Sequence, residues 1–154
     1  MKRRVFLKGA MATGTVALAV GAGLITPRAV LAAWPKSAFE SKSVADALGA
    51  LYGAGDAADS GDIQIKAPDI AENGAVVPVS ITANIPNVES ISIFAEGNNT
   101  PLTSRWVLGS NANAYVSTRI KMAKTSNVIA VVHADGKMFK AAKEVKVTIG
   151  GCGG

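Results

Sequence analysis

The sequence predicts an all-β fold: an immunoglobulin-like antiparallel β-sandwich of about seven short strands, preceded by one N-terminal helix and followed by a flexible C-terminal arm. Three observations carry that expectation. Beyond Gly61, apolar and polar residues alternate in short runs, the period of a strand with one buried face. Turn-forming residues separate these runs at nearly regular spacing, as in a two-sheet sandwich. Between Ser37 and Gly55 the period is that of a helix, and after Ile149 only Gly150-Gly151-Cys152-Gly153-Gly154 remains.

In chain order, Lys2-Arg3-Arg4-Val5-Phe6-Leu7-Lys8 sets paired arginines before large apolar residues, and an uncharged stretch follows from Gly9 to Pro27. That is the form of a twin-arginine export signal. Four glycines and three threonines in the stretch weaken its transfer into lipid, which favours a cleaved signal over an anchor. Small residues place cleavage between Ala32 and Ala33 or one residue later, so residues 1–32 are expected to leave. With them go five of the 16 basic residues, leaving 11 to balance the 11 acidic ones. A mature chain without net charge is expected in the periplasm, with neither nucleic acid nor membrane as partner. Export by this route commonly follows folding or assembly, so a second subunit can travel with the chain.

The expected mature chain divides into a helix-plus-sandwich domain, 33–149, and the arm, 150–154. After Ala33-Trp34-Pro35, Ser37-Ala38-Phe39-Glu40 fits a capping box, and Val44, Ala47, Leu48, Leu51 and Tyr52 fall on one helical face that Gly53 and Gly55 terminate. A helix this short needs a surface to dock on. The predicted strands are Ile63–Lys66, Val77–Ile85, Ile91–Ala95, Leu102–Leu108, Val116–Met122, Val128–Val132 and Val145–Ile149. Pro78 cannot donate to a ladder, which predicts an edge strand or a bulge there. Glu72-Asn73-Gly74, Ile85-Pro86-Asn87, Gly97-Asn98-Asn99, Gly109-Ser110-Asn111 and Asp135-Gly136 supply the turns.

Chemistry inside that domain is sparse. His133, the single histidine, closes an apolar strand and reads as a strand-end residue, because no second ligand or nucleophile is near it in sequence. Asp56, Asp59 and Asp62 lack the bidentate glutamate and ligand spacing of a calcium loop and read as a solvated linker. One histidine and one remote cysteine do not make a metal site, and no phosphate loop, dinucleotide fingerprint or Ser-His-Asp order occurs. Cys152 is different: an odd cysteine in an exported chain implies either an intermolecular bond or a thiol kept for chemistry. Glycines on both sides leave it narrow and conformationally free. The residues alone thus leave four readings open: a frayed end whose cysteine has no role, a thiol kept as a reagent, a tether joining exported β-sandwiches by an intermolecular disulfide, or a thiol-redox enzyme. The last lacks a second cysteine or a preorganised base.

The twin-arginine start, Ala33-Trp34-Pro35 with Ala38-Phe39, Pro68-Asp69-Ile70-Ala71-Glu72-Asn73-Gly74 leading to Val77-Pro78-Val79, Thr118-Arg119-Ile120-Lys121-Met122-Ala123 and the terminal Val145-Lys146-Val147-Thr148-Ile149-Gly150-Gly151-Cys152-Gly153-Gly154 together resemble SoxY. SoxY is the sulfur-binding subunit of the SoxYZ carrier of the thiosulfate-oxidising Sox system. Asn98-Asn99-Thr100-Pro101 departs from the family's tighter Asn-Pro turn. The resemblance implies a non-enzymatic carrier that holds S-thiosulfonate and persulfide-type intermediates on Cys152 and has no cofactor of its own. It implies a SoxZ-like partner in a heterodimer or higher assembly. It also implies visits by a haem-containing thiosulfate-conjugating enzyme, a sulfate-releasing hydrolase and a sulfane dehydrogenase, with Gly150, Gly151, Gly153 and Gly154 letting the arm swing into each. No cation flanks Cys152 closer than Lys146, so activation of the thiol is expected from the pocket of the visiting enzyme.

Overall fold

The alternation in Val77-Pro78-Val79-Ser80-Ile81-Thr82-Ala83 has the consequence expected of it: Val77, Val79, Ile81 and Ala83 are buried on one face, and the residues between them are not. The computed structural model describes residues 34–148. Two helices precede the strands, α1 (Lys36–Glu40) and α2 (Val44–Tyr52). The strands among the described residues are β1 (Ala58–Asp59), β2 (Ile63–Lys66), β3 (Ile70–Ala71), β4 (Val77–Ala83), β5 (Val88–Ala95), β6 (Leu102–Val107), β7 (Tyr115–Ile120), β8 (Ser126–Ala134) and β9 (Lys137–Val147). They form two sheets, one in the order β1-β9-β8-β5-β6 with β3 also on β9, the other β2-β4-β7. None of the helices in the described region is long and apolar enough to cross a membrane.

Two apolar layers result. Between the sheets lie Val77, Val79, Ile81, Ile91, Ile93, Val128, Ala130, Val132 and Val145, all fully or almost fully buried. Outside the larger sheet, Phe94, Leu102 and Val131 meet Ala38, Ala47 and Leu48 of the helices. The second layer explains why β5 reads as a continuous apolar run rather than an alternation: from Ser90 to Ala95 it is buried on both faces. Ser90 and Ser92 are the polar exceptions, and the Tyr52 hydroxyl, 2.9 and 3.0 Å from their oxygens, satisfies them.

The predicted helical face is correct, but its start is not. Ser37 lies inside α1, whose N-cap is Pro35 and carries no side-chain cap. Glu40 pairs with Lys36 at 3.6 Å rather than reaching back to Ser37. The chain turns extended at Ser41, and α2 begins with Ser43 as N-cap, its hydroxyl accepting from the Asp46 amide at 3.0 Å. The one expected helix is therefore two. Gly53 ends α2 in the left-handed region, φ 75°, as its sequence position implied.

All seven predicted strands are present. The β1 and β3 strands are additions, each of two residues and each parallel to β9, so the sandwich is not wholly antiparallel. Residues too short to show a period leave no strand signal. The final strand begins at Lys137 rather than Val145, because Met138 turns to the helix layer while Phe139 and Ala141 turn to the inter-sheet core, and two apolar faces mask the period. Asp135 (φ 49°) and Gly136 (φ 70°) form the two-residue turn that feeds it, the positive-φ pair that a tight hairpin requires. Pro78 is a further correction: β4 is the middle strand of its sheet, not an edge. No ladder is broken, because β2 stops at Lys66 opposite Ser80, and at Pro78 the strand is paired only with β7, through Arg119.

Candidate functional site at the end of the last strand

The site singled out by sequence, Cys152 with Gly150, Gly151, Gly153 and Gly154, lies outside the described residues, as does the signal segment 1–32. The structure describes the platform from which that segment departs. Val145 is fully buried in the inter-sheet core, and Val147 packs against it. On one side β3 runs parallel to the end of β9, with Lys146 N–H donating to the Asp69 carbonyl at 3.0 Å and Thr148 N–H to the Ala71 carbonyl at 3.1 Å. The Thr148 hydroxyl adds a bond to the Glu72 carbonyl at 3.2 Å. On the other side β8 begins at Ser126, opposite Val145, and the ladder is completed by a side chain: Val147 N–H donates to Thr125 Oγ1 at 2.8 Å. Lys143 ties the strand again, its ammonium 2.6 Å from the Ala67 carbonyl and 3.0 Å from the Asp69 carboxylate. The backbone of β9 is thus hydrogen-bonded as far as Thr148, four residues before Cys152.

Topology brings the loops 72–76, 96–101 and 121–125 to the same end. The Asn98 side chain joins two of them, donating to the Lys121 carbonyl at 2.7 Å and accepting from the Ala123 amide at 2.8 Å. Asn98 belongs to the stretch where the sequence departs from the family turn, and its bridging role was not visible there. Gly97 fits beneath: a Cβ on it would lie 2.8 Å from both Cβ and Oγ of Ser126. Gly97→Ala is expected to cost about 1–3 kcal/mol in urea unfolding through this overpacking, and an unchanged midpoint would contradict the packing described. Lys121, Lys124 and Lys146 are exposed at this end, together with Glu72 and Glu96.

The other sequence candidates sit elsewhere. His133 is the penultimate residue of β8, at the opposite end of the sandwich, stacked on Tyr52 with ring centroids 5.0 Å apart and with Nδ1 3.0 Å from Glu89 Oε2. It is half-buried and has more contacts than a simple strand-end residue. Asp56 Oδ1 accepts from Lys140 Nζ at 2.7 Å and from the Ala57 amide at 2.8 Å; these bonds hold the Asp56 carboxyl below its ordinary value and raise the Lys140 ammonium. Asp59 lies in β1 and Asp62 beside β2, and among the described residues no group of three His, Cys, Asp or Glu side chains is placed to hold a metal. Thr125 and β3 were missed by the sequence reading. A threonine completing a ladder leaves no periodic mark, and a two-residue parallel strand leaves none either.

Comparison with known proteins completes the description. No curated protein sequence matches significantly. Among solved structures, the sulfur carrier protein SoxY from Chlorobium limicola f thiosulfatophilum aligns with 46% identity over 68% of this chain and 94% of that one, with a TM-score of 0.61. A superoxide reductase (neelaredoxin) from Ignicoccus hospitalis aligns with 20% identity over 55% of this chain and 78% of that one, with a TM-score of 0.50, and shares the fold alone. The family model for the sulfur oxidation protein SoxY matches residues 48–152, from the middle of α2 through Cys152. With a match across more than half of its length, the chain belongs to the SoxY family.

Proposed function

We propose that the protein is a periplasmic sulfur carrier in which Cys152 holds sulfur covalently while other enzymes act on it. The observation that carries this reading is the end of β9: the chain is hydrogen-bonded on both sides as far as Thr148, and the one cysteine of the sequence follows four residues later among glycines. From Thr148 to Cys152 an extended chain spans at most about 14 Å. A sulfur atom on such a thread reaches into a narrow pocket without the sandwich having to follow.

In the first step the Cys152 sulfur and the outer sulfur of thiosulfate form a disulfide-type bond, giving a cysteine S-thiosulfonate. The two electrons released would be taken up by the haem-containing conjugating enzyme and its electron acceptors, and the thiol proton by solvent. In the second, water attacks the sulfonate sulfur; the S–S bond to it breaks, sulfate leaves, and a persulfide stays on Cys152. The glycine neighbours are what lets one arm enter both pockets, since each side chain added beside Cys152 narrows the set of pockets that admit it. A SoxZ-like subunit is the expected companion, and the export signal of residues 1–32 is the expected route to the periplasm.

Intact mass of the exported protein from cells supplied with thiosulfate tests the reading. The expected spectrum contains species heavier by S2O3 and by single sulfur atoms, all removed by reductant. A spectrum of bare chain and disulfide-linked dimer alone would overturn it and favour a tether.

A further inference from the structure

The outer face of the larger sheet carries a second cluster that the carrier role does not use. Next to Ser90 on β5 stand His133 on β8 and Val107 on β6; one step along, next to Ser92, stand Val131 and Arg105. Tyr52 descends from α2 onto this grid, its hydroxyl engaged by both serines. The imidazole of His133 stacks on its ring at 5.0 Å, and the guanidinium of Arg105 lies over the ring at 5.6 Å. Beside them opens a shallow pocket of about 360 Å³, lined also by Leu51, Glu89 and Val107.

Arg105 is the anomaly. Its Nε is buried and has no acceptor among the described residues. The one carboxylate that lines the pocket, Glu89, is turned to His133 at 3.0 Å and is not paired with Arg105. The Tyr52 hydroxyl is already taken by the serines. A buried donor on a cation calls for an oxygen. The edge of a guanidinium that includes Nε presents two parallel N–H groups, the geometry that two oxygens of one oxyanion accept. A volume near the lower limit of ligand sites restricts the occupant to a small molecule.

We propose that the pocket formed by Arg105, Tyr52, Ser90 and His133 is a non-covalent binding site for a small oxyanion, a sulfur oxyanion or a short carboxylate, with Arg105 as its anchor. The site lies far from the end of β9. His133 is paired with Met138, nine residues from Val147 along β9, which at the rise of a strand is about 30 Å from the arm's departure point. Glu89 competes with the ligand for His133, so removal of its charge strengthens binding.

The test is a titration of the mature protein with sodium sulfate, sodium thiosulfate and sodium acetate, against sodium chloride at matched ionic strength. Calorimetry and the NMR resonance of the Arg105 Nε–H report occupancy. At least one of the three is expected to give a saturable shift of that resonance, and the tightest identifies which oxyanion the site takes. Arg105→Gln is expected to weaken binding by roughly tenfold or more, and Arg105→Lys, which keeps the charge but loses the paired donors, to weaken it too. Glu89→Gln is expected to tighten it. If none of the anions exceeds chloride, or if both Arg105 variants bind as the parent does, or if Glu89→Gln binds more weakly, the assignment is wrong.

Discussion

Cys152→Ser is expected to carry no sulfur adduct under any supply of thiosulfate and to reduce thiosulfate oxidation, reconstituted with the partner subunit and enzymes, to background, while its unfolding midpoint stays at that of the parent. Both halves of the result follow from different parts of the chain. The proposed intermediates are joined through sulfur–sulfur bonds, and a hydroxyl forms no counterpart that can be charged, processed and released by the same chemistry. Its oxygen is also far less nucleophilic at neutral pH than a thiol, because the thiolate is the reactive form and a hydroxyl ionises far less readily. The unfolding midpoint is expected to hold because, among the described residues, the end of β9 is held by bonds from Asp69, Ala71, Glu72 and Thr125, all of them upstream of Cys152. Deleting residues 150–154 should therefore have the same two effects. A serine variant that still loads sulfur would move the carrier atom elsewhere, and one that fails to fold would mean that the terminal segment belongs to the domain.

The features legible in the sequence were those that repeat. Val77, Val79 and Ile81 announced their strand by alternation, Ala47, Leu48 and Leu51 announced a helix face, and Asp135-Gly136 announced a turn, which the positive φ values of both residues match. What stayed hidden depends on contacts between segments far apart in sequence. Lys137–Glu144 is a strand because it lies between two apolar layers, and the second exists only once α2 has docked. Ser37 was a better match than Ser43 to a capping-box pattern, yet Ser43 caps the helix, since tertiary docking of α2 decides where the chain re-enters helical geometry. At the candidate site, the cysteine and its glycines could be read directly, whereas Thr125 and β3, which hold the end of β9, and Asn98, which bridges two loops beside it, could not. Arg105 and His133 were invisible as a pair for the same reason: they are brought together across β5 by strand register.

Phe94→Ala is expected to cost about 3–5 kcal/mol, the largest stability effect of any single substitution considered for this domain. Phe94 is the largest fully buried side chain, and it lies in the layer between the larger sheet and the helices with Ala47, Leu48, Leu102 and Val131. A helix of nine residues has no stability of its own in water, so α2 stays folded only while it can bury that face. The inter-sheet core does not include Phe94. Loss should consequently be graded: amide exchange in α2 becomes fast first, exchange in β4 stays slow, and the urea midpoint falls with both probes still reporting. If β4 and α2 lose protection together, the two layers form one cooperative unit and the larger figure applies to the whole domain. In the graded case sulfur loading at Cys152 persists, because Thr125, Asp69 and Ala71 hold the end of β9 from outside the helix layer.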